Sequence, residues 1–426
     1  MDLLVKNGRI VDPARKIDKV TDIVIRDGKI RSVGGSNVSG IPTFDATGLI
    51  VAPGFFDIHV HLREPGTEEA ETIASGGNAA VAGGFTAVAA MPNTNPPNDN
   101  PSITHYIVSE ARRSSPARVF PIGAITKEQK GETLAEIGEM FEAGIAGISD
   151  DGKPVMDAQL FRRALEYAQM FDLPVIQHCE DLHLSKGGVM HEGMYSTRLG
   201  LKGIPAAAEE TMVSRDLILA QMTHGKYHVA HLSTRRAVEM VREAKAHGLR
   251  VSAEVTPHHF TLTDAAVADY DTNAKMNPPL RSLDDVNALI EGIQDGTIDA
   301  IASDHAPHHI NLKMLEFDRA PFGITGLETA VGLALTKLQL PIGRLIGLLS
   351  LNPQKIMKIT QWGLFEGSDA DLTVLDLNRT WTFDVNESRS RSRNSPFNGW
   401  HLKGKAVATI VGGKVVYEDT DRSRRL

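Results

Sequence analysis

The sequence predicts an α/β protein: a (β/α)8 TIM barrel with a small β-sandwich domain built from both termini. Three observations lead there. The middle of the chain alternates eight short apolar runs with stretches of helical periodicity. The two ends differ from that middle and are alike, with glycine dipeptides set between β-branched runs. A length of 426 residues leaves room for one large barrel and a smaller companion.

At the N-terminus, LLVKNGRIVD and DIVIRDGKIRSVG carry Asn-Gly and Asp-Gly, and ATIVGGKVVYED near the other end carries Gly-Gly. Tight primed turns need residues that tolerate positive φ, so each dipeptide is read as a hairpin turn. DADLTVLDL adds another strand. Residues 1–51 with 356–426 are therefore expected to form one small β domain, and residues 52–355 the barrel. The Ser-Arg alternation of SRSRSRNSPFNGW has no interleaved aromatic platform for stacking bases and is read as a solvated loop.

Within the barrel region, apolar runs end near His61, Met91, Ala124, Ser149, His178, His231, Thr256 and Asp304. Most are about 30 residues apart, the length of one β-α unit. LFRRALEYAQMF and RRAVEMVREAKAHG place apolar residues three or four apart, as an amphipathic helix does. An open doubly wound sheet would carry a glycine-rich phosphate loop after its first strand, and this chain has none.

Composition narrows the function. Lys plus Arg number 45 against 53 Asp plus Glu, a net charge of −8 that argues against nucleic acid as a partner. The single Cys179 excludes an internal disulfide framework and suits a reducing cytosol. No run of about 18 apolar residues is present to span a membrane, and the opening MDLLVKNGRIVDP lacks a signal-peptide core. The expectation is a soluble, cytoplasmic protein.

The strongest chemical signal is FFDIHVHLREPG at 55–66. Residues two apart share a strand face, so Asp57, His59 and His61 should point into the barrel and Ile58, Val60 and Leu62 toward the helices. Two imidazoles on a rigid strand end can hold a divalent metal. His178, His231 and Asp304 end three further runs, and a barrel gathers all such ends around one mouth. Four His and a carboxylate exceed what one tetrahedral zinc needs, which implies two ions sharing an anionic bridge. GISDDG offers Asp150 and Asp151 for it.

Together with AAMPNTNPP, SDDGKPVMD, QHCED, HLST, KMNPPLR, SDHAPHH and APFGITGLET, these segments resemble the class I bacterial dihydroorotases of the amidohydrolase superfamily, over essentially the whole chain. The resemblance implies zinc, one or two ions per subunit, and interconversion of L-dihydroorotate and N-carbamoyl-L-aspartate in de novo pyrimidine synthesis. It implies His59, His61 and Asp304 on a first metal and His178 and His231 on a second. Asp151 would bridge them, since no lysine ends the fourth run and Lys153 lies beyond it in a turn. Asp304 would also be the catalytic proton carrier. His61, Arg63, Asn93, Asn277, His308, Phe322 and Gly323 would bind substrate, with the segment between His308 and Gly323 as a mobile cover. A homodimer and association with aspartate carbamoyltransferase are implied as candidate assemblies.

Two rivals stand beside this reading. A hydantoinase or allantoinase would share barrel and metals but is expected to bridge them with a lysine. A non-catalytic scaffold for aspartate carbamoyltransferase would have lost its ligands. Of the other histidines, His105, His183, His191, His224, His228, His247 and His401 are read as solvated, and His258 and His259 as neighbours of the site at most. Cys179 lacks an acyl-transfer triad and is read as packing, as are the methionines of AVAAMPN and KMNPP.

Overall fold

Eight parallel strands follow one another in sequence order in the computed structural model, which describes residues 1–34, 38, 40–359 and 363–419. They are β1 (Phe55–Val60), β2 (Phe85–Ala90), β3 (Arg118–Gly123), β4 (Gly147–Ser149), β5 (Val175–Gln177), β6 (Tyr227–Val229), β7 (Val251–Val255) and β8 (Ala300–Ile301). The ring closes just beyond β8. Val60 and His305 form a parallel bridge, and the His61 N–H donates to the His305 carbonyl at 2.8 Å.

Buried strands covered by helices need side chains apolar on both faces, and β1 and β2 are buried at every position. The covering helices follow the periodicity. Ala158–Ala168 buries Leu160, Phe161, Ala164, Leu165 and Ala168, and Arg235–Ala246 buries Ala237, Val238, Val241 and Ala244. The Asp157 and Thr234 side chains cap them by accepting from Leu160 N–H and Ala237 N–H. No helix among the described residues is long and apolar enough to cross a membrane.

Strict alternation along β1 does not hold. Its register against β2 shifts between Asp57 and Val60, as an extra residue in one strand does. Ile58 consequently packs with Phe56, Ala87, Ala89, Ile122, Ile176 and Ala300, a cluster drawn from strands all round the ring and therefore the barrel interior. Val60 and Leu62 join the large cluster that includes the helices.

The termini build one eight-stranded sheet. Its order is Lys414–Glu418, His401–Val411, Leu372–Thr382, Ile50–Pro53, Leu3–Asp12, Ile17–Arg26 and Lys29–Val33, with Thr43–Asp45 paired to Leu3–Asp12 off this path. Asp27-Gly28 and Gly412-Gly413 turn hairpins, all four residues at positive φ. Asn7-Gly8 does not. It lies inside Leu3–Asp12, where Asn7 at φ 58° bulges the strand and its N–H donates to Asp22. Residues 360–362 and 420–426 of the expected terminal unit lie outside the described residues.

The Ser-Arg segment is also not the solvated loop expected. Ser390, Ser392, Asn394 and Ser395 are buried, whereas Arg389 and Arg391 are exposed. The Ser390 hydroxyl donates to buried Glu71, and Ser392 donates to the Ala70 carbonyl at 2.7 Å. Alternation on a two-residue period places the serines against the barrel and the arginines in water.

Sheet and barrel are also joined at Thr373, whose buried hydroxyl accepts from Phe55 N–H at 3.0 Å and donates to the Gly84 carbonyl at 2.7 Å. Thr373→Val leaves both backbone groups unpaired, each at a cost of about 1–3 kcal/mol. A lowered midpoint in thermal unfolding is expected, and an unshifted midpoint would show that this junction is not stabilising.

Candidate active site

His59 and His61 leave β1 at the mouth of the barrel, each ring held by one nitrogen. The His59 Nδ1–H donates to Glu254 Oε1 at 2.6 Å, and the His61 Nδ1–H donates to Asn93 Oδ1 at 2.7 Å. His178, just beyond β5, donates from Nε2 to Glu180 Oε2 at 2.8 Å. An imidazole anchored through one nitrogen presents the lone pair of the other. His59 Nε2 is buried without a hydrogen-bond partner, as are Asp151 Oδ1 and His231 Nδ1.

The inward atoms converge, although at His231 it is Nε2 and not the unpartnered Nδ1 that faces the cluster. His59 Nε2 stands 3.4 Å from Asp151 Oδ1 and 3.6 Å from Asp304 Oδ1, and His61 Nε2 stands 3.5 Å from Asp151 Oδ2 and 3.1 Å from Asp304 Oδ1. On the other side, His231 Nε2 lies 3.6 Å and His178 Nδ1 3.9 Å from Asp151 Oδ1, and these two nitrogens are 3.0 Å apart. Two triads of metal-ligating geometry result, His59–His61–Asp151 and Asp151–His178–His231, with Asp151 in both. Asp150 is otherwise engaged: its oxygens accept from the Ile125 and Thr126 N–H groups and the Thr126 hydroxyl. Lys153 is exposed.

The residues present fit divalent cations. Burial alone would lower the pKa of His59, yet Glu254, Asp151 and Asp304 hold it well above the ordinary imidazole value. Burial likewise works against the charge on Asp151 and Asp304, and the surrounding imidazoles, His59 foremost, hold both carboxyls well below the usual range. The cluster thus favours positive charge at its centre. Imidazoles with inward lone pairs around shared carboxylates are the donor set of zinc and similar first-row ions.

Asp304 and His231 reach this centre through left-handed backbone, φ 46° and 31°. Such a conformation costs on the order of 1–3 kcal/mol for a non-glycine residue and persists only where surroundings enforce it. Around Asp304 they do. The Ser303 N–H donates to Asp57, the His305 N–H donates to the Ser303 hydroxyl, and His305 is held between Glu71 and the Gly326 N–H.

The remaining expected residues rim the same mouth. Arg63, Asn93, Asn277, His308 and Phe322 are partly exposed while the six metal-ligand candidates are buried. Arg63, at φ 60°, donates from Nε to the Pro307 carbonyl at 3.1 Å and has no carboxylate partner among the described residues. Burial pulls its pKa down to about 10. The His308 Nε2–H donates to the Phe322 carbonyl at 2.7 Å. Gly323 sits at φ 132°, where an added Cβ would stand 2.8 Å from the Ala306 carbonyl oxygen, so only glycine fits. Asn277 lies against the metal-side residues, donating to Glu180 Oε2 at 2.8 Å. Between His308 and Gly323 the chain is tied down by buried Lys313, which donates to the Thr272 and Pro321 carbonyls, both at 2.8 Å.

A family model described as "Dihydro-orotase-like" matches residues 48–237. The chain is 56% identical over 419 residues to the dihydroorotase of Solibacter usitatus (strain Ellin6076), covering 97% of each chain. It is 54% identical to that of Pelotomaculum thermopropionicum (strain DSM 13744 / JCM 10971 / SI), covering 98% of this chain and 99% of the relative. The chain belongs to the dihydroorotase family.

Membership makes it a hydrolase of cyclic amides. Among solved structures, the L-hydantoinase (dihydropyrimidinase) from Arthrobacter aurescens is similar with a TM-score of 0.88 at 26% identity, covering 98% of this chain and 96% of the other. The D-hydantoinase (dihydropyrimidinase) from Thermus sp. gives 0.80 at 26% identity, covering 98% and 95%. The fold is thus shared with hydantoinases, while identities near half are to dihydroorotases.

This family member has site residues that sequence reasoning missed. Glu254 is the chief one. Besides His59 it accepts from His228 Nε2 at 3.1 Å and from the His231 N–H at 3.3 Å, so His228 is buried and engaged rather than solvated. A lone carboxylate in the otherwise apolar end of β7, VSAEV, was the available signal. Glu180, two residues beyond His178, repeats that carboxylate–imidazole pairing. His258 and His259 are buried beside one another with ring centroids 4.5 Å apart. Cys179 is buried with Sγ 3.1 Å from the Tyr227 hydroxyl, and Met91 and Met276 are core.

Replacing a carboxylate that orients a ligand imidazole typically weakens metal affinity about 10–100-fold. Glu254→Gln keeps the shape and removes the charge, so the protein should release metal to a chelator at correspondingly lower concentration. Wild-type retention would mean that Glu254 does not hold His59 for a metal.

Proposed function

We propose that the protein interconverts L-dihydroorotate and N-carbamoyl-L-aspartate, with zinc held by His59, His61, Asp304, His178 and His231 and bridged by Asp151. The observation that carries the substrate assignment is Arg63: a guanidinium without a carboxylate partner among the described residues, at the rim of a cluster suited to metal. A ring that bears a carboxylate supplies the missing partner. An uncharged hydantoin does not.

In this reading Arg63 receives the carboxylate through its planar fork, with Asn93, Asn277, His308 and the backbone at Phe322 and Gly323 shaping the rest of the pocket. A divalent ion, when bound, supplies Lewis acidity to the ring carbonyl and lowers the pKa of water from about 15.7 toward 7. Asp304, ionised beside His61, takes a proton from the attacking water as oxygen bonds to the ring carbonyl carbon. It returns that proton to the ring nitrogen as the C–N bond breaks. In the cyclisation direction the same carboxylate takes the proton from the carbamoyl nitrogen. Arg63 contributes position, holding the ring at a set distance from the metal.

The domain reading goes with it: residues 52–355 as the catalytic barrel, residues 1–51 with 356–426 as the accompanying β unit. So do a cytoplasmic place in de novo pyrimidine synthesis and assembly with a second copy or with aspartate carbamoyltransferase. A non-catalytic scaffold is disfavoured because every candidate ligand is present.

The direct test is an assay of carbamoyl aspartate cyclisation with metal analysis on the same sample. Activity should vanish on exhaustive chelation and return with zinc. Full activity with no metal left, or preference for an uncharged hydantoin over dihydroorotate, would overturn the proposal. Arg63→Lys replaces a fork with a point charge and should raise the KM for dihydroorotate with metal content unchanged. Arg63→Ala should cost about 2–5 kcal/mol in kcat/KM, the usual loss on truncating one partner of a buried charge pair. Wild-type kinetics in both would sink the substrate assignment.

A further inference from the structure

Asn394 lies in the segment that leaves the terminal sheet after Leu372–Thr382 and returns to it at His401–Val411. Its side chain is 1% exposed and its amide is fully used. Oδ1 accepts from the His308 N–H at 3.0 Å, while Nδ2 donates to the Ala306 carbonyl at 3.1 Å and the Gly323 carbonyl at 3.0 Å. Its backbone carbonyl accepts from the Thr325 N–H at 2.8 Å. One side chain therefore joins both roots of the 308–323 segment.

What hangs on those roots is the rim described above. Ala306 and His308 flank Pro307, whose carbonyl receives the Arg63 Nε–H, and the His308 ring is fixed in turn on the Phe322 carbonyl beside Gly323. The segment carrying Asn394 is itself latched. Glu71 accepts from the Ser390 hydroxyl and from the Arg391 N–H at 3.1 Å, and Glu328 accepts from the Arg389 N–H at 2.8 Å. Two N–H donors and one carbonyl on so short a stem are available only from asparagine. Aspartate would set an oxygen against two carbonyls, and glutamine is longer than this buried site allows.

We propose that Asn394 is a positioning residue for recognition of the substrate carboxylate, supplied to the barrel by the terminal sheet and acting through the Ala306–His308 backbone on Arg63 and His308. The inference rests on the dihydroorotase reading. It assigns Asn394 to substrate binding and not to the metal, since none of its hydrogen bonds reaches a metal-ligand candidate.

The test compares wild type, Asn394→Ala, Asn394→Asp and the exposed-side-chain control Arg391→Ala, each with metal loaded. KM and kcat for dihydroorotate, zinc per chain, the thermal midpoint, and calorimetric affinity for orotate as a non-reacting carboxylate ring are measured. A misplacement of about 1 Å transmitted from a remote mutation can cost about 100-fold. Both Asn394 variants should therefore raise KM and the orotate Kd by at least about 10-fold, with kcat and zinc content near wild type. Arg391→Ala should match wild type. If Asn394→Ala does not fold, Asn394→Asp, which keeps the acceptor for the His308 N–H, carries the comparison alone. A lowered thermal midpoint with unchanged KM and Kd would reduce Asn394 to a structural brace and overturn the inference. So would loss of zinc, or an equal KM rise in Arg391→Ala. Wild-type protein inert toward dihydroorotate and carbamoyl aspartate would overturn the functional reading along with it.

Discussion

At the mouth of the barrel, His59, His61, His178 and His231 are buried among Asp151, Asp304, Glu254 and Glu180, and no member of this set would tolerate its position alone. A carboxylate removed from water without a partner would protonate, and an imidazole would stay neutral. Together they raise the basicity of His59 and His178 and hold the Asp151, Asp304, Glu254 and Glu180 carboxyls below the usual range, because burial is outweighed by opposite charges and short hydrogen bonds. The rest of the molecule serves to keep these groups at their distances. That includes the strained turn at Asp304, the Asp57–Ser303 tie between β1 and the end of β8, and the Val60–His305 closure of the ring.

The same constraint separates two kinds of work around one opening. Buried His59, His61 and His178, each anchored by one ring nitrogen on a carboxylate or amide, present the lone pair of the other inward and help make a place for positive charge. Partly exposed residues on the rim leave donors for an anion, and Arg63 is the clearest of them. A cluster suited to a cation, beside a guanidinium without a carboxylate partner among the described residues, suits an anionic ring. That juxtaposition, more than the barrel itself, distinguishes the dihydroorotase reading on a fold shared with hydantoinases.

The terminal sheet enters this arrangement at two places. Thr373 fastens it beneath β1 and β2, and the 388–395 segment crosses to the mouth, where Glu71 and Asn394 tie it to the residues following Asp304. A segment that looked like a polar connection is thus packed, because every second side chain is a serine small enough to lie against the barrel and donate to a buried oxygen.

Much of this was legible from the chain alone. Eight apolar runs with helical intervals predict a parallel barrel, and a barrel gathers strand ends, so the sequence already brings His59, His61, His178, His231 and Asp304 together. Asp27-Gly28 and Gly412-Gly413 turn hairpins because their flanking runs pair with each other; Asn7-Gly8 bulges instead because the residues on both sides of it pair with the same neighbouring strand. That Glu254 rather than solvent holds His228, and that Asn394 reaches the roots of the rim, were decided only by tertiary structure. Periodicity along a strand reports which face a residue takes. It carries no information about which atom on a distant segment stands within hydrogen-bond reach, and that is set when the ring closes and the terminal segment is laid across it.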